Sequence, residues 1–258
     1  MAKLSVLILA KNEEKNIADC IKSVAFADEV VVIDDFSEDT TAAIAEDLGA
    51  RVVQRAMKGN WGEQQTFAIE QASHEWIFFI DADERASKPL AAKVREVVAA
   101  DDRRYAYNIA RLNYFWEQPL HHGGWFPDYG LHLLPRKGAY VTGFVHQQIH
   151  HDYEEKHLST KDYIIHYPYR DWEHYFNKLN LYTTLAARKM REQGKRAHLW
   201  DFLLHPAWAS FRMYVLKSGW RDGRVGFVLA GFHYFYTMAK YVKLYYLTKT
   251  NEHVGDER

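Results

Sequence analysis

Four apolar runs of strand length, residues 4–9 (LSVLIL), 29–33 (EVVVI), 51–54 (RVVQ) and 76–80 (WIFFI), alternate with stretches of helical periodicity at 14–25, 38–48, 62–72 and 88–99. Runs apolar on nearly every residue, separated by helices, fit a parallel sheet covered on both faces. Ligands of such sheets bind outside the carboxyl ends of the strands. Three of these ends carry unusual groups: Lys11-Asn12-Glu13-Glu14, Asp34-Asp35-Phe36-Ser37-Glu38-Asp39 and Asp81-Ala82-Asp83-Glu84.

Ser37 or Asp39 would serve as a cap for the helix at 38–48, but capping accounts poorly for Asp34, which ends a buried strand. Asp81 and Asp83, two residues apart at the mouth of the sheet, repel each other unless a cation or ligand donors compensate. A divalent metal shared with substrate phosphates is the usual solution, because Mg²⁺ takes one or two carboxylates and leaves the rest of its shell to phosphate and water. There is no GxxxxGK[ST], and no GxGxxG follows the first strand. A P-loop enzyme and a dinucleotide-binding dehydrogenase are therefore poorly supported. The single cysteine, Cys20, excludes a disulfide framework and a cysteine zinc cluster.

The formal net charge of −1 over 258 residues conceals a division of the chain. Residues 1–173 hold 19 Lys+Arg and 28 Asp+Glu, a balance of −9, whereas residues 174–250 hold 13 and three, a balance of +10. The last eight residues add one Arg and three acids, −2, which restores the total. Of the 39 Phe, Trp and Tyr, 14 fall in residues 200–250. An acidic body followed by a basic, aromatic tail points to an anionic surface as partner.

The run at 4–10 reads as a strand, since it lacks a cleavage site and is followed by Lys11 and Asn12. In the tail the longest uncharged stretch, 225–239, has fifteen residues. A bilayer span needs roughly 17–25. Helices are expected at 171–194, about 200–218 and 222–247, with Asp222-Gly223 at a turn.

The succession LSVLILAKNEE (4–14), VVVIDDFSEDTT (30–41) and WIFFIDADE (76–84) resembles family 2 glycosyltransferases of the GT-A fold. The likeness continues through GWFPDYGLHLLPR (124–136), FVHQQI (144–149) and the segment 220–245, and is similar to the bacterial lipopolysaccharide-core β-glucosyltransferases. It implies an α/β fold, a Rossmann-like, mostly parallel sheet with helices on both faces, plus a C-terminal helical, basic, aromatic-rich appendage. The expected organisation is a catalytic domain at 1–170, with a nucleotide-sugar half at 1–100 and an acceptor half at 101–170. A helical region at 171–250 that caps the body or meets a membrane follows, then a tail at 251–258.

The resemblance also assigns roles. Asn12 and Glu13 would lie beside base and ribose, and Asp34 would hydrogen-bond the uracil ring of a UDP-sugar. Asp83 would hold Mg²⁺ or Mn²⁺ against the diphosphate, and Asp81 would contact ribose or metal. Gly62 and Gln64 match a donor-side helix. Gln65 stands where the family usually has Lys or Arg, Thr66 where it usually has Asn, and His132 where Arg is common. Gln147, expected near the acceptor, occupies a position that is commonly Glu, and a glutamine cannot accept a proton. Candidate bases are then Asp128, which follows a possible sugar-stacking Trp125, with His146 as runner-up and Glu117 also on offer. His146, His150 and His151 lie close together, but the region reads as strands and turns without HExxH, so no histidine metal site is expected.

The activity implied is inverting transfer of a hexose, glucose first, from a UDP-sugar to a hydroxyl of a lipopolysaccharide-core or other lipid-linked glycan. Such an enzyme would work in the cytoplasm, peripherally on the inner face of the cytoplasmic membrane. The alternative is a catalytically impaired nucleotide-sugar-binding scaffold, suggested by Gln147. A sugar-phosphate nucleotidylyltransferase would need a glycine-rich basic loop after the first strand, which Lys11-Asn12-Glu13 does not supply. Nucleic acid is not an expected partner, since no RNA-binding motif accompanies the basic tail.

Overall fold

The computed structural model describes residues 1–143 and 148–249. They form two compact units, one of residues 1–112 and 127–167, the other of 113–126 and 168 onward.

In the first unit β1 (Leu4–Ala10), α1 (Ile17–Ser23), β2 (Glu29–Asp34), α2 (Thr41–Asp47), β3 (Arg51–Gln54), α3 (Trp61–Gln71) and β4 (Trp76–Phe79) follow the expected alternation. Next come β5 (Glu84–Ala86), α4 (Lys88–Ala100) and β6 (Tyr105–Phe115), whose last three residues belong to the second unit, as does β7 (Gln118–Pro119). The chain returns with β8 (Asp128–Pro135), β9 (Tyr140–Thr142), β10 (Gln148–His150), β11 (Glu154–His157) and β12 (Tyr163–His166). The main sheet runs β3-β2-β1-β4-β8-β6-β12-β5. Its first four strands are all parallel. β8 then pairs antiparallel with both β4 and β6.

The two-residue period of the strands divides the core between the two faces. Val6, Ile8, Val32, Trp76 and Phe78 pack with Ile17 and Ile21 of α1 and Leu90 and Val94 of α4. Leu7, Val31, Ile33, Ile77 and Phe79 pack with Ala68 and Ile69 of α3 on the opposite face. This is why the runs are apolar on nearly every residue. Gly62 allows α3 to touch the strand-end loop at 142–143: its N–H donates to Gly143 O at 3.1 Å, and a Cβ there would lie 2.8 Å from that oxygen.

The second unit contains α5 (Trp172–Glu192), α6 (Asp201–Phe211), which runs on through a π turn at 212–216, and α7 (Gly223–Lys249). Asp222 ends a short 3₁₀ turn before α7, where the turn was expected. Its core gathers Phe115, Leu120, Tyr175, Met213 and Leu229, with a second cluster of Ala187, Ala197, Leu244 and Leu247. Among the described residues no helix is long and apolar enough to cross a membrane.

Candidate functional site

The carboxyl ends of β1 and β2 are stitched together by their loops. Asn12, at φ 54°, donates its N–H to Ser37 Oγ (2.9 Å), and its Oδ1 accepts from Glu38 N–H (2.8 Å). Glu13 N–H donates to Thr41 Oγ1 at 2.7 Å, and its carboxylate accepts from Asn16 Nδ2 at 2.8 Å. Asp39 Oδ1 accepts from Thr41 N–H at 2.9 Å in the turn before α2, but the N-cap residue is Thr40, which makes no side-chain cap bond, so the capping expected of Ser37 or Asp39 is not seen.

Asp34, at the carboxyl end of β2, is fully buried and accepts from the N–H and hydroxyl of Ser37 and from Gln54 Nε2. The next residue, Asp35, is partly buried and holds Met57 N–H and Lys11 Nζ, each at 2.9 Å. Burial acts to raise its carboxyl, but those donors hold it below the ordinary aspartate range.

On the donor-side helix Gln64 is 1% exposed, its Nε2 donates to Arg55 O at 2.8 Å, and its Oε1 accepts from Arg55 Nη1 at 2.9 Å, so it positions Arg55. That cation belongs to no motif.

The turn after β4 is fixed from every side. Glu84 N–H donates to Asp81 O at 2.9 Å, and Asp81 N–H donates back to Glu84 Oε2 at 3.0 Å. The Cys20 thiol donates to Asp81 O at 3.4 Å, and burial pushes that thiol far up, so it stays protonated. Arg85 Nη1 donates to the carbonyls of Ala82 and Glu84 at 2.9 and 2.8 Å. Tyr167 N–H donates to Asp83 O at 2.9 Å. With its peptide groups held, the turn offers the Asp81 and Asp83 side chains at low ordering cost.

Behind the turn lies a charge cluster that the motifs did not reveal. Glu84 is 0% exposed, with Oε1 3.7 Å from Arg111 Nη1, and Arg111 Nη2 reaches Asp128 Oδ2 at 2.8 Å. Burial, and next the Asp81 charge, push the Glu84 carboxyl up to about 8 although His166 and Arg111 pull the other way. His166 Nε2 lies 3.6 Å from Asp83 Oδ2. Burial alone would lower His166, but the Asp83 contact and the charges of Glu84 and Asp83 raise it on balance. Arg111 and His166 come from β6 and β12, late strands with no recognisable pattern; only the topology brings them to β4.

A cleft of about 450 Å³ opens here, lined among others by Gln65, Asp81, Glu84, Arg111 and His132. Among the described residues three buried side-chain polar atoms lack a hydrogen-bond partner: Gln65 Oε1, Glu84 Oε1 and Arg111 Nε. All three residues line this one cleft. Each orphan costs about 1–3 kcal/mol, so their concentration marks a place where a polar ligand is expected to complete the bonding.

His132 is buried in the cleft wall, with Nδ1 2.9 Å from Phe79 O. Burial, outweighing that hydrogen bond, pushes its pKa down to about 4. The folded state thus resists a proton that the unfolded chain accepts near pH 6.5, and stability falls as pH drops from about 6.5 to about 4. His132→Asn, which can keep the bond to Phe79, is expected to flatten that slope by up to about 3 kcal/mol in urea unfolding at pH 4.5 against pH 7.5.

The residues fit a divalent cation as a partial donor set. Asp81 is exposed and Asp83 partly so, and carboxylate oxygens suit Mg²⁺ or Mn²⁺. Among the described residues no group of three or more His, Cys, Asp or Glu could hold a metal by itself, so phosphate and water would supply the rest of the shell. Asp128 lies in the first unit; Trp125 and Glu117 lie in the second. His146 and Gln147 lie outside the described residues.

The profile of glycosyl transferase family 2 matches residues 5–218. The chain is 32% identical over 254 residues, 94% of its length and 92% of the relative's, to the lipopolysaccharide core biosynthesis glycosyltransferase LpsC of Rhizobium meliloti. It is 31% identical to an uncharacterized glycosyltransferase of Rickettsia felis, over 88% of this chain and 84% of the other. Among solved structures, S. aureus TarS (residues 1–349) is matched over 98% of this chain and 93% of that one at 16% identity and a TM-score of 0.47. Glucosyl-3-phosphoglycerate synthase from Mycobacterium tuberculosis, solved with Mn²⁺, UDP and glucosyl-3-phosphoglycerate, is matched over 44% and 45% at 24% identity and a TM-score of 0.36.

Proposed function

The chain belongs to glycosyl transferase family 2, and on that premise we propose that it transfers a hexose, glucose first, from a UDP-sugar to a hydroxyl of a lipopolysaccharide-core or other lipid-linked glycan, with inversion. The observation that carries this reading is the pinned 81–84 turn beside a cleft holding three unpartnered polar groups.

Asp83 and Asp81 would hold Mg²⁺ or Mn²⁺, which when bound stabilises the negative charge developing on the departing diphosphate. Asn12, Glu13 and Asp34 would receive the nucleoside, with Arg55, positioned by Gln64, adding a cation nearby. The acceptor oxygen bonds to the anomeric carbon as the bond from that carbon to the diphosphate oxygen breaks, its electron pair leaving with UDP. The hydroxyl proton goes to Asp128, which its contact with Arg111 at 2.8 Å orients. Asp128→Asn is expected to lower kcat by about 10²–10⁴-fold with the donor KM little changed, read as UDP release from a panel of UDP-sugars with Mn²⁺ and an acceptor extract. Undiminished turnover would remove Asp128 from the mechanism. UDP binding without release from any sugar would instead favour the scaffold reading.

We further propose that the second unit works at an anionic lipid surface on the cytoplasmic face. Trp200, Leu203, Leu204, Trp208, Phe211 and Val215 are all exposed, from 45% to 71%. Their spacing of three and four places them on one side of α6 and its continuation. Lys195, Arg196 and Arg221 flank them in the sequence. Each such cation contributes about 1 kcal/mol near an anionic leaflet. Binding to phosphatidylglycerol vesicles is expected to exceed binding to phosphatidylcholine vesicles at least about tenfold, to weaken with salt, and to drop in Trp200→Ser/Leu204→Ser. Equal sedimentation with both vesicle types would reject this placement.

A further inference from the structure

The second unit contains a cleft of about 580 Å³ that the transfer chemistry leaves unused. One wall is the α7 face carrying His233, Tyr236, Lys240 and Tyr241; another comes from His205 and Trp208 of α6 with Arg212 just beyond; Gly123, Gly124 and Trp125 close it. The glycines are required here. Both have positive φ, 68° and 87°, the left-handed backbone that favours glycine, and Lys217 packs against Gly124.

The lining combines three cations, two histidines and four large aromatic rings, and contains no carboxylate. Among the described residues Arg212, Lys217 and Lys240 make no ion pair, although Asp222 nearby is taken up by His122 at 2.7 Å. Lys240 is instead set over the Tyr241 ring at 5.2 Å, and His205 stacks on that ring at 4.5 Å. Gathering like charges in a partly desolvated cleft is unfavourable until an anion enters. Aromatic walls, meanwhile, suit the apolar face of a pyranose better than a bare inorganic ion.

We propose that this cleft binds a phosphate-bearing sugar: Arg212, Lys217 and Lys240 take the phosphate, Trp125, Trp208 and Tyr236 cover the ring, and His233 meets its hydroxyls, while His205, whose Nε2 faces Asp201 Oδ1 at 3.2 Å, supports the wall. In support, burial, followed by Lys195, lowers the Lys240 pKa, and burial, followed by Lys240 and Lys217, lowers that of His233. The proposal goes beyond the transferase reading and names a ligand class for the second unit alone.

Calorimetric titration of the full chain with glucose 6-phosphate tests it, with glucose and inorganic phosphate as comparisons. The expected result is a dissociation constant of about 1 mM or below for the sugar phosphate, at least tenfold weaker binding of either comparison, and a tenfold or greater loss in Arg212→Ala and in Lys240→Ala. Trp125→Phe, a milder change, is expected to weaken binding less and to remove part of the tryptophan quenching that the ligand causes. No binding of glucose 6-phosphate, or binding indifferent to all three substitutions, overturns the proposal. Phosphatidylglycerol vesicles form the second arm. Vesicle binding lost in Arg212→Ala and Lys240→Ala, with no affinity for the sugar phosphate, assigns the cations to lipid headgroups and also overturns it. UDP binding with Mn²⁺ is measured in parallel on the unaltered chain. Sugar-phosphate affinity that depends on these residues supports the cleft whether or not UDP binds, and absent UDP binding counts against the transferase reading alone.

Discussion

Asp83→Asn is expected to lower UDP release from the cognate UDP-sugar by about 10³-fold, with a change in thermal midpoint of only a few degrees. The substitution is nearly isosteric and leaves the pinned peptide groups intact, since the Tyr167 N–H bond is made to the Asp83 carbonyl and the remaining bonds involve Cys20, Glu84 and Arg85. What it removes is one of the two carboxylate charges that the turn presents. If that charge holds the cation, loss of rate should be accompanied by loss of any Mn²⁺ dependence in the residual activity. Turnover within a few-fold of the unaltered protein would show that Asp83 is not a metal ligand.

Arg111→Met is expected to lose about 1–3 kcal/mol in urea unfolding at neutral pH, because Arg111 lies 3.7 Å from the fully buried Glu84 and holds Asp128 at 2.8 Å. Glu84, pushed up to about 8, is largely protonated there, so the loss is expected to grow as pH rises through that value and the carboxylate ionises without its partner. The double variant Arg111→Met/Glu84→Gln should therefore recover much of what the single change loses. If Arg111→Met unfolds at the same urea concentration as the unaltered protein, Glu84 draws its compensation from elsewhere in the cluster.

The parallel half of the sheet was legible because strands buried on both faces have to be apolar on nearly every residue, as 4–9, 29–33 and 76–80 are. The same reasoning located the acidic strand ends. It did not reveal how those polar residues are held: Asp34 accepts from Ser37 and Gln64 pairs with Arg55, both out of contact with solvent, and a sequence does not show the partners that the turn and helix supply. Arg111 and His166 were missed for another reason. They come from antiparallel strands far along the chain, and only the order β4-β8-β6-β12 delivers them to the 81–84 turn. Trp125 and Asp128 read as one acceptor segment, yet they fall in different units. The unpaired cations of the tail suggested only a surface; the cleft around Lys240 emerges from the packing of α6 and α7.

The most direct test of a metal-assisted UDP-sugar site at Asp81 and Asp83 is calorimetric titration of UDP into the unaltered protein and into Asp83→Asn, each with Mn²⁺ and with a chelator. The predicted result is UDP binding that weakens at least about tenfold, some 1.4 kcal/mol, when Mn²⁺ is withdrawn, and weak binding to Asp83→Asn that Mn²⁺ does not improve. Equal UDP affinity in all four titrations would contradict the account.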